Sequence, residues 1–209
     1  YGIITLIQLI DFYKNKLPIC KIHDKPKYPW RGMHLDCARQ FYSINEIKRI
    51  LDYMALFKIN RFHWHLTDNE SWRIEIKSFP NLTKFGSYRG YNMTVPPFYG
   101  SGYEKYGGYY SHEDIKNLIL YAKNLNIEIM PEIDLPAHSW ALLEVMPELR
   151  DEKSNIISED AGSYKNNTIN PSLEQTKQFL KSMLEEISEI FTFNVIHVGL
   201  DERPNNSWE

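Results

Sequence analysis

The 209-residue chain closes on "VIHVGLDERPNNSWE", in which an apolar run ends in two adjacent acids, Asp201 and Glu202. Adjacent like charges repel, and a carboxylate taken from water is costly unless it is paired or protonated. One reading is a solvated loop that begins with Asp-Glu; the other is a pair with divided labour. Two carboxylates that together hydrolyse a glycoside flank the bond about 5 to 10 Å apart, one as acid and one as nucleophile or base. Sequence neighbours can hardly span both faces of a sugar. They can serve together if the substrate brings its own nucleophile, so that one acid protonates the leaving oxygen while the other orients the attacking group.

Other groups invite similar weighing. Arg39 has a forked donor set suited to sugar hydroxyls, or to a surface ion pair. Asp68, in "HLTD", is placed either to join a site or to cap a helix. His138, in "EIDLPAH", follows a proline turn and could bridge two carboxylates and tune the proton of one of them; a lone His is also often a structural residue. Glu132 opens the acidic end of the same segment. A metal reading competes: His63 and His65 share one side of a strand at i and i+2, with His138, His197 and Asp201 to complete a ligand set. That pair lies inside the strand, well before its polar tip, so the expectation is no metal and no cofactor, and activity insensitive to chelators.

These residues need a frame. Residues 3–14 place Ile3, Leu6, Ile7, Ile10 and Tyr13 on one helical face. "LPICKIHDKPKYP" alternates and is broken by Pro18, Pro26 and Pro29, which suggests a short edge strand, a linker and a domain boundary near residue 28. Then a repeating pattern begins: "RGMHLDCA" as strand; "SINEIKRILDYMALFKI" as a helix with Ser43 and Glu46 in a capping box; "RFHWHLTD" as strand; a long Tyr-, Gly- and Pro-rich loop over 69–110; "SHEDIKNLILYAKNLN" as a capped helix; "IEIMPEID" as strand; "NPSLEQTKQFLKSMLEEISEIF" as helix; "NVIHVGLD" as strand. Alternation of this kind implies parallel strands with crossover helices. Each strand ends in polar groups: Asp36 to Arg39, Asp68, Glu132 to Asp134, and Asp201 to Glu202. The expectation is α/β, the first four units of a (β/α)8 TIM barrel, whose active groups gather at the carboxyl ends of the strands. A doubly wound sheet would also collect ligands there, but no Gly-rich phosphate loop follows the first strand.

The bulk numbers exclude other classes. Net charge is −3, which leaves no basic footprint for nucleic acid. No run of 18 apolar residues appears, so no membrane span is expected, and the first residues lack the pattern of a signal peptide. Aromatics at 14% suit stacking on sugar rings as well as a large core. Cys20 and Cys37 leave the redox compartment open. Sequons stand at Asn69, Asn81, Asn92, Asn166 and Asn205; those at Asn69 and Asn205 lie near the acids and are expected to carry no glycan.

Four ordered motifs, "RGMHLDCARQF", "FHWHLTDNESWRIEI", "PEIDLPAHSWA" and "IHVGLDE", resemble successive barrel strands of glycoside hydrolase family 20, the β-N-acetylhexosaminidases. "YGIITLIQLI" and "IHDKPKYPWRG" resemble that family's junction between a small N-terminal α+β domain and its barrel. The resemblance implies residues 1–28 as the end of that domain and its linker, and 29–209 as the first half of the catalytic barrel. It implies substrate-assisted, retaining hydrolysis of terminal N-acetylglucosamine or N-acetylgalactosamine, in a family that departs from the two-carboxylate scheme. Carried over by motif, Glu202 is general acid and then base, and Asp201 holds the acetamido N–H. Asp68 and His138 form a polar chain behind Glu202, Arg39 binds terminal-sugar hydroxyls, and Glu132 is a further barrel-mouth contact. A lysosomal or secreted location is expected, with glycans as partners; the rest of the barrel is expected either from a second chain or from a longer chain of which this is a fragment, and a homodimer is a further possibility.

Three positions depart from the family pattern. Gly-Gly before the acids becomes Gly199-Leu200, whose branched side chain is expected to crowd the strand end. Pro-Gly-His becomes Pro136-Ala137-His138, which requires Ala137 to avoid a glycine-only conformation. A His that often follows the arginine is Gln40. With only four units, an open half-barrel exposes two sheet edges, and the 209 residues alone are expected to fold poorly. The alternative function is therefore a catalytically impaired relative that acts as a binding module.

Overall fold

The computed structural model describes residues 1–14, 16–150, 164 and 166–203. Four parallel strands form the central sheet in the order β1-β2-β7-β8: β1 (Gly32–Asp36), β2 (Arg61–His65), β7 (Glu128–Leu135) and β8 (His197–Gly199). His34 pairs in register with His63, His65 with Glu132, and Glu132 with His197. Helices α2 (Ile44–Leu56), α4 (His112–Asn124) and α6 (Glu174–Ile190) connect consecutive strands of the sheet.

The chemistry of each crossover is visible in the chain. Ser43 and Glu46 form the reciprocal capping box at the start of α2, and Ser111 and Asp114 form one at α4; each satisfies two N–H groups that a helix start leaves without partners. The apolar stripes then meet one face of the sheet. Ile47, Leu51 and Met54 of α2, Ile115 and Leu118 of α4, and Phe179, Met183 and Ile187 of α6 share a buried cluster with Phe62, Trp64, Ile129 and Ile133.

Successive strand residues point to opposite faces. The other face of the sheet, which would line a barrel, carries His34, Asp36, His63, His65, Glu132 and Asp134 rather than the branched aliphatics that usually fill such an interior.

The long segment between β2 and α4 is not structureless. It holds the hairpin of β3 (Thr67–Asp68) and β4 (Ser71–Trp72), helix α3 (Asn81–Gly86), and the pair β5 (Tyr88–Arg89) and β6 (Tyr106–Gly107). Arg73, fully buried, pins it to the end of β1: its guanidinium donates to the carbonyls of Cys37 (3.0 Å), Ala38 (3.0 Å), Gly108 (3.1 Å) and Ser87. Helix α5 (Trp140–Val145) follows β7 and packs on α3 and β4.

One expectation is corrected. Residues 16–31 form no strand: the alternating segment has no sheet neighbour among the described residues, and Ile19 and Ile22 stand exposed. The amino-terminal helix is present as α1 (Gly2–Tyr13), with none of its residues buried. Cys20 and Cys37 are both free, the first exposed and the second buried. No described helix is long and apolar enough to cross a membrane.

Candidate functional site

The polar tips of the four central strands meet at one end of the sheet. Asp68 leaves the tip of β2 with its side chain wholly buried. Its Oδ1 is 3.1 Å from His138 Nδ1, and its Oδ2 is 2.8 Å from both His65 Nε2 and Arg39 Nη1. Burial works against an ionised Asp68, yet the hydrogen bonds from His138 and His65 and the charge of Arg39 hold its pKa well below the usual carboxylate range. The same contacts favour imidazolium at both histidines. Burial opposes the charge, but Asp68 lifts His138 to about 9, and Asp68 with Glu132 lifts His65 to about 10.

His138 turns its other nitrogen to the acid pair. Nε2 is 3.1 Å from Glu202 Oε2 and 4.0 Å from Asp201 Oδ2. The Glu202 contact is a close approach whose angle falls outside hydrogen-bond geometry. His138 adopts φ 51°, which turns its ring back over the strand ends, while Ala137 is fully buried with an ordinary negative φ. The backbone strain thus falls on His138 rather than on the alanine that replaces glycine.

The acid pair is aimed by a left-handed run: Gly199 at φ 67°, Leu200 at 75° and Glu202 at 45°. A Cβ on Gly199 would lie 1.8 Å from Asp134 Oδ1, so this position admits only glycine. Leu200 does not crowd the strand end as expected. Its side chain points out, 69% exposed, and its cost lies in the backbone angle, which branched residues rarely adopt.

Arg39 is a hub. Besides Asp68, it meets Asp36 Oδ2 through Nη1 at 3.0 Å and Glu70 Oε2 through Nε at 3.0 Å. Glu70 is nearly fully buried and also accepts from Tyr164 Oη at 2.5 Å. Tyr164, Phe98 and Trp140 form a cluster of edge-on and tilted rings beside it.

Two further residues belong to the site: Asp134, which the sequence marks only as part of a polar strand end with no role of its own, and Glu70, which it does not mark at all. Asp134 lies two residues after Glu132 and hence on the same face of β7; that spacing was the available signal. Its carboxyl is pushed up to about 8 by burial and, against the pull of His138, by the Asp201 and Asp68 carboxylates. One ligand atom each of Asp134, His138 and Asp201 lies within 4.8 Å of the others. A neutral Asp134 beside Asp201 removes one charge from a crowded group of acids.

Glu132 sits deeper in the sheet, 5% exposed, among four imidazoles. His65 Nδ1 and His63 Nε2 are each 2.7 Å from Oε2, His34 Nε2 is 3.5 Å from Oε2, and His197 Nδ1 is 2.9 Å from Oε1. Asn69 is buried and hydrogen-bonded at the site: its Oδ1 accepts from the Trp140 N–H at 3.1 Å. Asn205 lies outside the described residues.

What the arrangement can do follows from its polarity. Glu202 and Asp201 are exposed and so are open to a ligand, while a buried Asp68–His138 unit backs the first and Asp134 stands against the second.

Known proteins resemble this chain in sequence and fold. Residues 28–209 match the model of "Glycosyl hydrolase family 20, catalytic domain". The chain is 42% identical over 207 residues to a β-hexosaminidase of Vibrio furnissii, covering 98% of this chain and 34% of that protein. It is 32% identical to the N,N'-diacetylchitobiase of Vibrio harveyi, over 98% of this chain and 27% of that protein. The crystal structure of a GH20 exo-β-N-acetylglucosaminidase from Vibrio harveyi in complex with N-acetylglucosamine superposes with a TM-score of 0.84 at 42% identity, over 88% of this chain and 29% of its own. The chain spans about a third or less of the length of these relatives. A family match over nearly the whole sequence, joined to a parallel sheet whose strand tips bring the acids together, places this chain in glycosyl hydrolase family 20.

Proposed function

We propose that the protein carrying this chain removes terminal non-reducing N-acetylhexosamine from glycoconjugates or chitooligosaccharides by substrate-assisted, retaining hydrolysis. The observation that carries this reading is the unequal setting of the two neighbouring acids: Glu202 lies 3.1 Å from a histidine backed by a buried carboxylate, while Asp201 stands against Asp134.

Glu202 gives its proton to the leaving oxygen, and the carboxylate left behind is stabilised by the His138–Asp68 unit. Asp201 accepts the acetamido N–H and turns the amide so that its carbonyl oxygen attacks the anomeric carbon. The anomeric C–O bond breaks as the new one forms, giving an oxazolinium ion. Glu202 then takes a proton from the water that opens this ring, which restores the starting configuration. Arg39, held by Asp36, Asp68 and Glu70, presents its remaining fork to hydroxyls of the terminal sugar.

The test is hydrolysis of a chromogenic N-acetyl-β-glucosaminide by the full-length protein, with the configuration of the first-formed sugar read by NMR. Retention, with tight inhibition by a thiazoline analogue of the oxazolinium ion, supports the proposal. Inversion, or an enzyme side chain bonded to the anomeric carbon in a trapped intermediate, overturns it. A well-folded protein that binds the sugar and turns nothing over leaves the binding-module reading in its place.

A further inference from the structure

The inward face of the sheet holds a second cluster below the acids, and the hydrolytic scheme does not use it. His34 of β1, His63 of β2 and Glu132 of β7 come from three adjacent strands, and one ligand atom from each lies within 4.8 Å of the other two. The details of their contacts set this cluster apart from an ordinary hydrogen-bonded network.

Only one of the four imidazole contacts to Glu132 has hydrogen-bond geometry, that of His65 Nδ1 at 2.7 Å. His65 also has Asp68 on its other nitrogen. The Nδ1 lone pair of His197 is taken by the Gly199 N–H at 3.1 Å. His63 is different: its Nε2 is shut off from solvent and finds no hydrogen-bond partner, although Glu132 Oε2 is 2.7 Å away. The axis of the ring nitrogen passes beside the oxygen rather than through it. His34 Nε2 reaches the same oxygen at 3.5 Å, also outside hydrogen-bond geometry.

We propose that His34, His63 and Glu132 form a divalent transition-metal site, with zinc as its ion, inside the barrel and distinct from the acid pair. Two imidazole nitrogens and one carboxylate oxygen match zinc, cobalt and nickel rather than magnesium or calcium, which prefer oxygen throughout. Ligand atoms around a tetrahedral zinc stand roughly 3.3 Å apart, given bonds of about 2.0–2.1 Å. The His34–Glu132 separation fits this spacing, and the His63–Glu132 contact opens by a few tenths of an ångström, within the reach of a rotating carboxylate. The hydrogen bond from His65 holds that carboxylate in place, the usual support of a metal ligand from behind. Water fills the fourth position.

The experiment uses the full-length protein after chelator treatment. Cobalt(II) is titrated in and the visible ligand-field absorption of a four-coordinate ion is followed. One equivalent of cobalt with these bands, displaced by zinc, supports the site, as does an at least ~10-fold weaker zinc affinity in His34→Leu with unchanged turnover of the metal-free enzyme. A zinc-edge anomalous difference map of wild-type crystals gives a readout independent of any variant. A peak between the Nε2 atoms of His34 and His63 supports the proposal. No peak in crystals grown with zinc, a peak only at the acid pair or on surface histidines, or undiminished affinity in a folded His34→Leu protein would overturn it.

Discussion

Asp68 and His138, 70 positions apart in the chain, meet through Oδ1 and Nδ1 at 3.1 Å. The contact fixes both the orientation of the imidazole and its charge. Asp68→Asn removes the anion that keeps the proton on His138. Turnover is expected to fall by about 10²- to 10⁴-fold, the usual worth of a positioned acid–base unit. The stability that His138 contributes is fully present below its ordinary pKa of about 6.5 and is lost as pH rises through about 9. In the variant this loss between pH 7 and 9 should shrink, which thermal melting at the two pH values will show.

Substituting the two neighbouring acids should give different kinetic signatures. Glu202→Gln is expected to hurt substrates with poor leaving groups most, because good ones depart without a proton. Asp201→Asn slows formation of the oxazolinium ion whatever the leaving group. A series of aryl N-acetyl-β-glucosaminides will separate them; parallel losses across the series would contradict the assignment.

Arg39 joins three carboxylates through a planar fork. Arg39→Lys keeps the charge but cannot serve Asp68, Asp36 and Glu70 together. The expected outcome is an at least ~10-fold loss in kcat/KM and a stability loss of about 1–3 kcal/mol from a poorly satisfied Glu70, read by denaturant titration.

Asp134 is an acid whose folded pKa, about 8, lies above its ordinary value. The folded state therefore holds more protons than the unfolded state between about pH 4 and 8, and stability falls as pH rises across that window. Asp134→Asn should flatten this slope and leave the variant more stable than wild type at pH 8, by on the order of 1 kcal/mol or more. Melting curves at pH 5 and pH 8 are the measurement.

Leu200 sits at φ 75° with its side chain in solvent. Leu200→Gly removes backbone strain and almost no packing, and should stabilise the protein by about 1 kcal/mol. Gly199→Ala should do the reverse and unseat the acid pair, since the new methyl would overlap Asp134.

The strands and crossover helices were legible because their signals are local: two capping boxes and a 3.6-residue apolar stripe in each helix. Asp68, His138, Asp201 and Glu202 were legible as site candidates from their places at strand tips. Depth was not. Glu132 and Asp134 face the same way, and period-two patterning cannot tell which of them reaches the mouth and which lies among the histidines. Glu70 and Arg73 escaped notice because their partners come from residues 14 to 94 positions away, through a loop that local patterning leaves blank. The alternation of residues 17–29 misled because a strand also requires a neighbour.

Among the described residues, the hydrogen bonds of the Arg73 guanidinium all go to main-chain oxygens, those of Cys37, Ala38, Ser87 and Gly108. Such an anchor is indifferent to the side chains at the first three positions. The end of β1 and the segment running from Ser87 to Gly108 are therefore clamped through main-chain atoms, and the clamp lasts for as long as position 73 stays arginine.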